Sequence, residues 1–229
     1  MPDDLPHPAC TAILVAAGAS RRMGTDKLAW PLEGVPVLLR TLDAFLRARS
    51  IGAIIVVCSA ASRTLFKDGD FPKPVTFTSG GDERQDSVAA GLAALDPSTR
   101  LVAVHDGARP LVSPDDIDRC VEAAGVHRAA ALARRANDTM KRSDPDGFCT
   151  GSVDRQNLWC METPQVFEVS ILRQAYRNVA ERGLSITDEV SAVQALGIPV
   201  KLIESHHPNP KITTPADLAL AEALARPHP

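Results

Sequence analysis

The sequence predicts one α/β domain over residues 1–229, a mostly parallel sheet flanked by helices with a protruding β-hairpin arm at about 134–160. Three observations predict it. Short β-branched runs alternate with segments of helical period. Those runs are almost continuously apolar, as expected of parallel strands buried on both faces. The 229 residues, 45% of them hydrophobic, suffice for one sizeable core and fall within the roughly 50–250 residues of ordinary domains.

In chain order, residues 12–15 read as the first strand. Leu38, Leu42, Phe45 and Leu46 then recur at helical spacing, with Arg40, Asp43, Arg47 and Arg49 on the opposite side, so an amphipathic crossover helix follows. Residues 53–58, 75–78 and 101–104 continue the strand series. A helix starts where Ser113 precedes Pro114, because the hydroxyl caps free N–H groups and proline needs none at the first helical position. Residues 129–133 form the next strand. From 134 to 160 the composition turns polar around Asp144-Pro145-Asp146-Gly147, a turn between 139–141 and 150–153 that predicts the hairpin arm. Residues 200–204 close the strand series, and Thr214-Pro215 starts a last helix.

Composition excludes several classes of function. With 25 Lys and Arg against 28 Asp and Glu, the net charge of −3 offers no general attraction for nucleic acid or an anionic membrane surface. The longest apolar runs, at 10–19 and 51–59, fall short of the ~18 residues needed to span a bilayer. Residues 1–8 hold three prolines, two aspartates and no Lys or Arg, the wrong composition for a targeting segment, so the expected location is the cytoplasm. The five cysteines are scattered and never form a CxxC pair, which predicts buried thiols instead of disulfides or a zinc site.

Chemistry-bearing residues gather where strands end. After the first strand stands Ala16-Ala17-Gly18-Ala19-Ser20-Arg21-Arg22-Met23-Gly24-Thr25-Asp26-Lys27. Small residues there let backbone N–H groups approach phosphate oxygens, and the cations neutralise charge developing in transfer. Neither standard nucleotide motif fits, since Ser20 and Met23 stand where glycines are required. Gly80-Gly81-Asp82-Glu83-Arg84-Gln85-Asp86-Ser87 follows the third strand and opens a helix, with Asp82 the expected cap. His105-Asp106-Gly107-Ala108-Arg109-Pro110 places a carboxylate and a guanidinium at a strand's carboxyl end, where open α/β sheets bind ligands. Asp106 suits Mg²⁺, which takes one or two carboxylates beside phosphate oxygens; an ion pair with Arg109 is the plainer alternative. Thr163-Pro164-Gln165 and 209–215 read as polar loops beside prolines. His206 and His207 lack a third ligand nearby and read as solvated.

The ordered set of these segments, with Asp138-Thr139-Met140-Lys141, Val153-Asp154-Arg155, Thr187-Asp188-Glu189 and Lys211-Ile212-Thr213-Thr214-Pro215, resembles the 2-C-methyl-D-erythritol 4-phosphate cytidylyltransferase family along most of the chain. The resemblance implies a single Rossmann-like nucleotidyltransferase domain, a homodimer joined through the 134–160 arm, CTP as co-substrate and Mg²⁺ as cofactor. It implies Arg22, Lys27 and Lys211 as catalytic cations. Ala16, Ala17, Gly18, Ser20, Gly81, Asp82, Ser87 and Asp106 would bind CTP, the last also ligating the metal. Arg109, Thr139, Arg155, Thr163 and Lys211 would hold methylerythritol phosphate, with Thr139 and Arg155 arriving from the partner's arm. Two departures from the family pattern stand in the first loop: Ser20 replaces a common glycine, and Asp26-Lys27-Leu28 replaces Pro-Lys-Gln. The alternatives left open are transfer to another polyol phosphate, such as ribitol 5-phosphate, and a catalytically silent CTP-binding regulator.

Overall fold

The computed structural model describes residues 10–18, 27–66 and 70–226. Its elements are β1 (Cys10–Ala16), β2 (Pro31–Leu32), β3 (Val35–Pro36), α1 (Val37–Arg47), β4 (Ile51–Cys58), α2 (Ala60–Arg63), β5 (Val75–Thr78), α3 (Arg84–Ala93) and β6 (Leu101–Asp106). There follow α4 (Pro114–His127), β7 (Ala129–Arg135), β8 (Lys141–Ser143), β9 (Cys149–Ser152), β10 (Trp159–Glu168), α5 (Val169–Arg182), α6 (Glu189–Gln194), β11 (Lys201–Glu204) and α7 (Pro215–Ala225). Seven strands form one sheet in the order β11-β7-β10-β6-β1-β4-β5, parallel except for β10.

The apolar strands are sandwiched as their composition requires. Alternate residues of β1 and β4 face opposite layers: Ala12, Leu14, Ile54 and Val56 pack with the buried faces of α1, α4 and α7. Ile13, Ile55 and Val57 pack with α3, α5 and α6. Both helix starts read from sequence are present. The Ser113 hydroxyl accepts from Asp116 N at 3.1 Å, and Thr214 and Asp217 form a reciprocal capping box. The tight β2–β3 turn places Glu33 (φ 48°) and Gly34 (φ 77°) in the left-handed region, as primed hairpin turns demand. Among the described residues, no helix is long and apolar enough to cross a membrane.

Three expectations need correction. Of the five cysteines read as buried thiols, Cys10, Cys58 and Cys120 are buried, but Cys149 is exposed on the hairpin, where no second layer covers it, and Cys160 is half-buried. Thr163-Pro164-Gln165 lies not in a loop but in β10, the strand between β6 and β7. Proline cannot donate to a ladder, and here it has no need to. Pairing with β7 breaks between Met161 and Gln165, and pairing with β6 begins only at Gln165, so Pro164 sits in a gap on both sides. The cap of α3 is Glu83, reciprocated by Asp86, and not Asp82, which stays exposed. The arm is where the sequence puts it, with β8 pairing β9 around Asp144–Gly147. Its two ends, Arg134–Arg135 and Trp159–Cys160, pair within the main sheet.

Candidate active site

Strand order reverses at β1. The chain passes from β1 to β4 and β5 on one side and returns to β6 on the other, so the carboxyl ends of β1 and β6 form the switch point beside which open α/β sheets place their ligand crevice. Val15 lies opposite Asp106 there, and Gly107 N donates to Val15 O at 2.9 Å. Ala16, Ala17 and Gly18 continue from β1 along the crevice edge. Gly80 joins this edge to α3: a Cβ built on it would lie 2.3 Å from Ala17 Cβ and 2.5 Å from Ser87 Oγ. Glycine is therefore required at this position for close approach.

Asp106 is the centre of the charge arrangement. It is buried at the end of β6, with Arg84 Nε 3.0 Å from Oδ1 and Lys211 Nζ 2.9 Å from Oδ2. Arg109 Nε is 3.6 Å from Oδ2, within ion-pair range but too long for a hydrogen bond. Burial alone would raise the pKa of this carboxyl; Arg84, Lys211 and Arg109 together outweigh burial and hold it well below the usual carboxylate range. Thr163 Oγ1 accepts from Asp106 N at 3.1 Å and pairs with His105 Nδ1 at 3.0 Å. The other ring nitrogen of His105 lies 3.3 Å from Arg109 O. Burial pushes the His105 pKa down to about 3, so the ring is neutral at physiological pH.

The loop carrying Lys211 is fastened from both ends. Arg109 Nη1 donates to Asn209 O at 2.7 Å, while Asn209 Nδ2 donates to Thr163 O at 2.8 Å and Glu162 Oε2 at 3.3 Å. Ile212 N donates to Ala108 O, and Asp217 Oδ2 accepts from Thr213 N, Thr213 Oγ1 and Thr214 N at 2.7–2.8 Å. On the opposite flank, the Arg84 guanidinium grips Glu189 with two bonds of 2.7 and 2.9 Å, and Tyr176 Oη donates to Glu189 Oε1 at 3.0 Å.

Asp106, Arg109, Thr163 and Lys211 are thus brought together. Gly81 and Asp82 are exposed before α3, and Ser87 is buried with its hydroxyl 3.3 Å from Glu83 O. Ser20 and Arg22 lie outside the described residues, and Lys27 opens the segment that follows them. Thr139 and Arg155 are exposed on the arm, where Arg155 donates to Asn137 O; neither bonds to the Asp106 cluster within this chain. His206 and His207 are exposed, with His207 Nδ1 3.4 Å from Asp116 Oδ2. Sequence reasoning gave no role to Arg84 and Glu189, although both stand in segments that it singled out. Tyr176, the only tyrosine, carried no signal at all.

The donor set decides what the site can hold. Among the described residues no three His, Cys, Asp or Glu side chains converge as a metal cage. Asp106 alone nonetheless suits Mg²⁺ that arrives with phosphate oxygens, because such ions take few protein ligands. Arg109 Nε, buried beside Asp106 with no hydrogen-bond acceptor, suits an anion.

Residues 10–226 match the family model described as 2-C-methyl-D-erythritol 4-phosphate cytidylyltransferase. The chain is 41% identical over 216 residues to the protein of that name from Symbiobacterium thermophilum, covering 93% of this chain and 92% of that one. It resembles the crystal structure of 2-C-methyl-D-erythritol 4-phosphate cytidylyltransferase from Thermus thermophilus, with 35% identity, a TM-score of 0.77 and coverage of 93% and 98%. It also resembles 4-diphosphocytidyl-2C-methyl-D-erythritol synthase from Anaerococcus prevotii, with 27% identity, a TM-score of 0.83 and coverage of 95% and 98%.

Proposed function

The chain belongs to the 2-C-methyl-D-erythritol 4-phosphate cytidylyltransferase family, and from that premise we propose how its own residues carry the reaction. The enzyme transfers CMP from CTP to 2-C-methyl-D-erythritol 4-phosphate, giving 4-diphosphocytidyl-2-C-methyl-D-erythritol and pyrophosphate in isoprenoid biosynthesis. The observation that carries the residue assignment is the cluster of Arg84, Arg109 and Lys211 around Asp106 at the reversal of strand order.

The backbone of Ala16, Ala17, Gly18 and Ser20 cradles the triphosphate, and Gly81, Asp82 and Ser87 receive the cytosine. Arg109, Lys211 and Thr163 face the methylerythritol phosphate. The acceptor phosphate needs no general base, because its second pKa of roughly 6 leaves it mostly dianionic at neutral pH. It needs positioning. Lys211 and Arg109 hold its oxygens so that one attacks the α-phosphorus in line, breaking the bond to the pyrophosphate oxygen. Arg22 and Lys27 stabilise the charge that develops on the leaving pyrophosphate. Neutral His105, with both ring nitrogens engaged, fixes Thr163 and takes no proton from substrate. Asp106 would hold Mg²⁺, which supplies further neutralisation of phosphate charge when bound.

The chain acts as a single domain over residues 1–229 in the cytoplasm. It pairs with a second copy through the 134–160 arm, so that the partner's Thr139 and the partner's Arg155 complete the acceptor side. Their exposure and lack of bonds to the Asp106 cluster within one chain support this arrangement. An isotope experiment tests the chemistry. With ¹⁸O in the non-bridging phosphate oxygens of the acceptor, the product carries ¹⁸O in its diphosphate bridge and the released pyrophosphate carries none. Label in pyrophosphate would overturn attack by the acceptor phosphate.

A further inference from the structure

Asp106 Oδ1 and Oδ2 are held in different ways. Oδ1 faces Arg84, whose guanidinium cannot drift, because two of its nitrogens are tied to Glu189 at 2.7 and 2.9 Å and Glu189 is fully buried. Tyr176 adds a third bond to Glu189 at 3.0 Å. Oδ2 faces Lys211, whose side chain is 36% exposed and sits on a single-bonded, flexible stem. Oδ1 is therefore held by one doubly anchored guanidinium, while Oδ2 is shared between Lys211 and, at the longer distance of 3.6 Å, the buried Arg109 Nε, so that Lys211 alone need move for Oδ2 to meet a ligand.

We infer that Arg84 is a positioning residue, the middle of a Tyr176–Glu189–Arg84 brace that fixes the Asp106 carboxylate and presents Oδ2 to the divalent cation carried in with CTP. The planar fork of arginine serves both carboxylates at once, which the point charge of lysine cannot do. Partners that orient a metal ligand are typically worth 10–100-fold in metal affinity, although they never touch the ion. The inference rests on Asp106 being the metal ligand.

The test measures Mn²⁺ binding by electron paramagnetic resonance in the presence of a non-cleavable α,β-methylene analogue of CTP, without acceptor. Charge-conserving variants separate orientation from bulk electrostatics. Arg84→Lys keeps the charge and loses the fork; Tyr176→Phe removes one bond from Glu189 and alters no charge. We expect Arg84→Lys to weaken Mn²⁺ binding about 10-fold and Tyr176→Phe about 2- to 3-fold. In turnover, the metal dependence should shift in parallel while the CTP KM at saturating Mn²⁺ stays within about 2-fold, a split that simple loss of folded protein does not produce. Asp106→Asn serves as the reference. If it weakens binding and the two variants do not, the brace is overturned while the metal-ligand reading stands. If Asp106→Asn binds Mn²⁺ as wild type does, the metal-ligand reading fails and the brace fails with it. Should Arg84→Lys not fold, Tyr176→Phe decides alone, and unchanged Mn²⁺ affinity in it overturns the inference.

Discussion

Replacing Gly80 by alanine tests how the nucleotide side of the crevice is assembled. The new Cβ would sit 2.3 Å from Ala17 Cβ, 2.5 Å from Ser87 Oγ and 3.3 Å from Ser87 Cβ. Carbon atoms rest at roughly 3.5–4.0 Å, so one side must retreat by about 1 Å. The Ser87 hydroxyl can rotate away. The Ala17 methyl cannot, because it is fixed directly to the backbone that continues β1 into the proposed triphosphate loop. The expected stability loss is that of ordinary overpacking, about 1–3 kcal/mol. The functional loss should be larger, since misplacing a binding group by ~1 Å costs up to about 100-fold. We therefore expect kcat/KM for CTP to fall 10- to 100-fold, measured by steady-state pyrophosphate release, with Tm lowered by a few degrees. Gly91→Ala is the comparison. Its Cβ would meet Ile13 Cγ2 at 2.6 Å in the core, away from the crevice, so it should lose stability and keep most of its CTP kinetics. Unchanged CTP kinetics in Gly80→Ala, or an equal kinetic loss in Gly91→Ala, would refute the reasoning.

Four further outcomes are expected. Lys27→Ala and Arg155→Ala should each lose about 100-fold or more in turnover, and mixing the two under proven subunit exchange should restore part of it if the arm completes a partner's site; no restoration would assign Arg155 to its own subunit. Thr163→Val should leave Asp106 N–H and His105 Nδ1 without their shared hydroxyl, costing about 1–3 kcal/mol by chemical denaturation, and an unchanged midpoint would remove that role. The His105 ring resonance should not titrate between pH 8 and 5, because burial lowers its pKa to about 3; the unfolded chain then takes up the proton first, so this group's contribution is lost as pH falls below ~6.5, and a ring titrating near 6.5 would contradict it. Asp217 has its pKa lowered to about 2 by bonds from Thr213 and Thr214, so the Tm advantage of wild type over Asp217→Asn should be full above about pH 4 and vanish as pH falls through 2; an advantage that persists at pH 1.5 would exclude the carboxylate as its source.

Most of the sheet was legible because its strands are apolar runs with β-branched residues, and both Ser113-Pro114 and Thr214-Pro215 announce helices by local chemistry alone. β10 was not legible. Its middle reads Glu162-Thr163-Pro164-Gln165, polar residues and a proline that argue for a loop. Those side chains are satisfied mainly by residues distant in sequence: Glu162 by Ser205 and Asn209, Thr163 by His105, and Gln165 by Asp188 and Val190 N, with a single local bond from Gln165 Nε2 to Glu162 O. The same holds for the site. Asp106 and Arg109 stand in one motif and could be read together. Arg84 and Glu189 lie 105 positions apart, and nothing in the spacing of either segment pairs them. Lys211 could be read as a cation near prolines, but its approach to Asp106 depends on Asn209, Ile212 and Asp217 folding the loop back onto β6.

The most direct measurement is Mg²⁺-dependent release of pyrophosphate from CTP, with methylerythritol phosphate and ribitol 5-phosphate supplied in separate reactions. Release with methylerythritol phosphate and none with ribitol 5-phosphate is the expected result. Release with ribitol 5-phosphate alone would keep the chemistry and contradict the acceptor, while binding of CTP without release from either would contradict the enzyme itself.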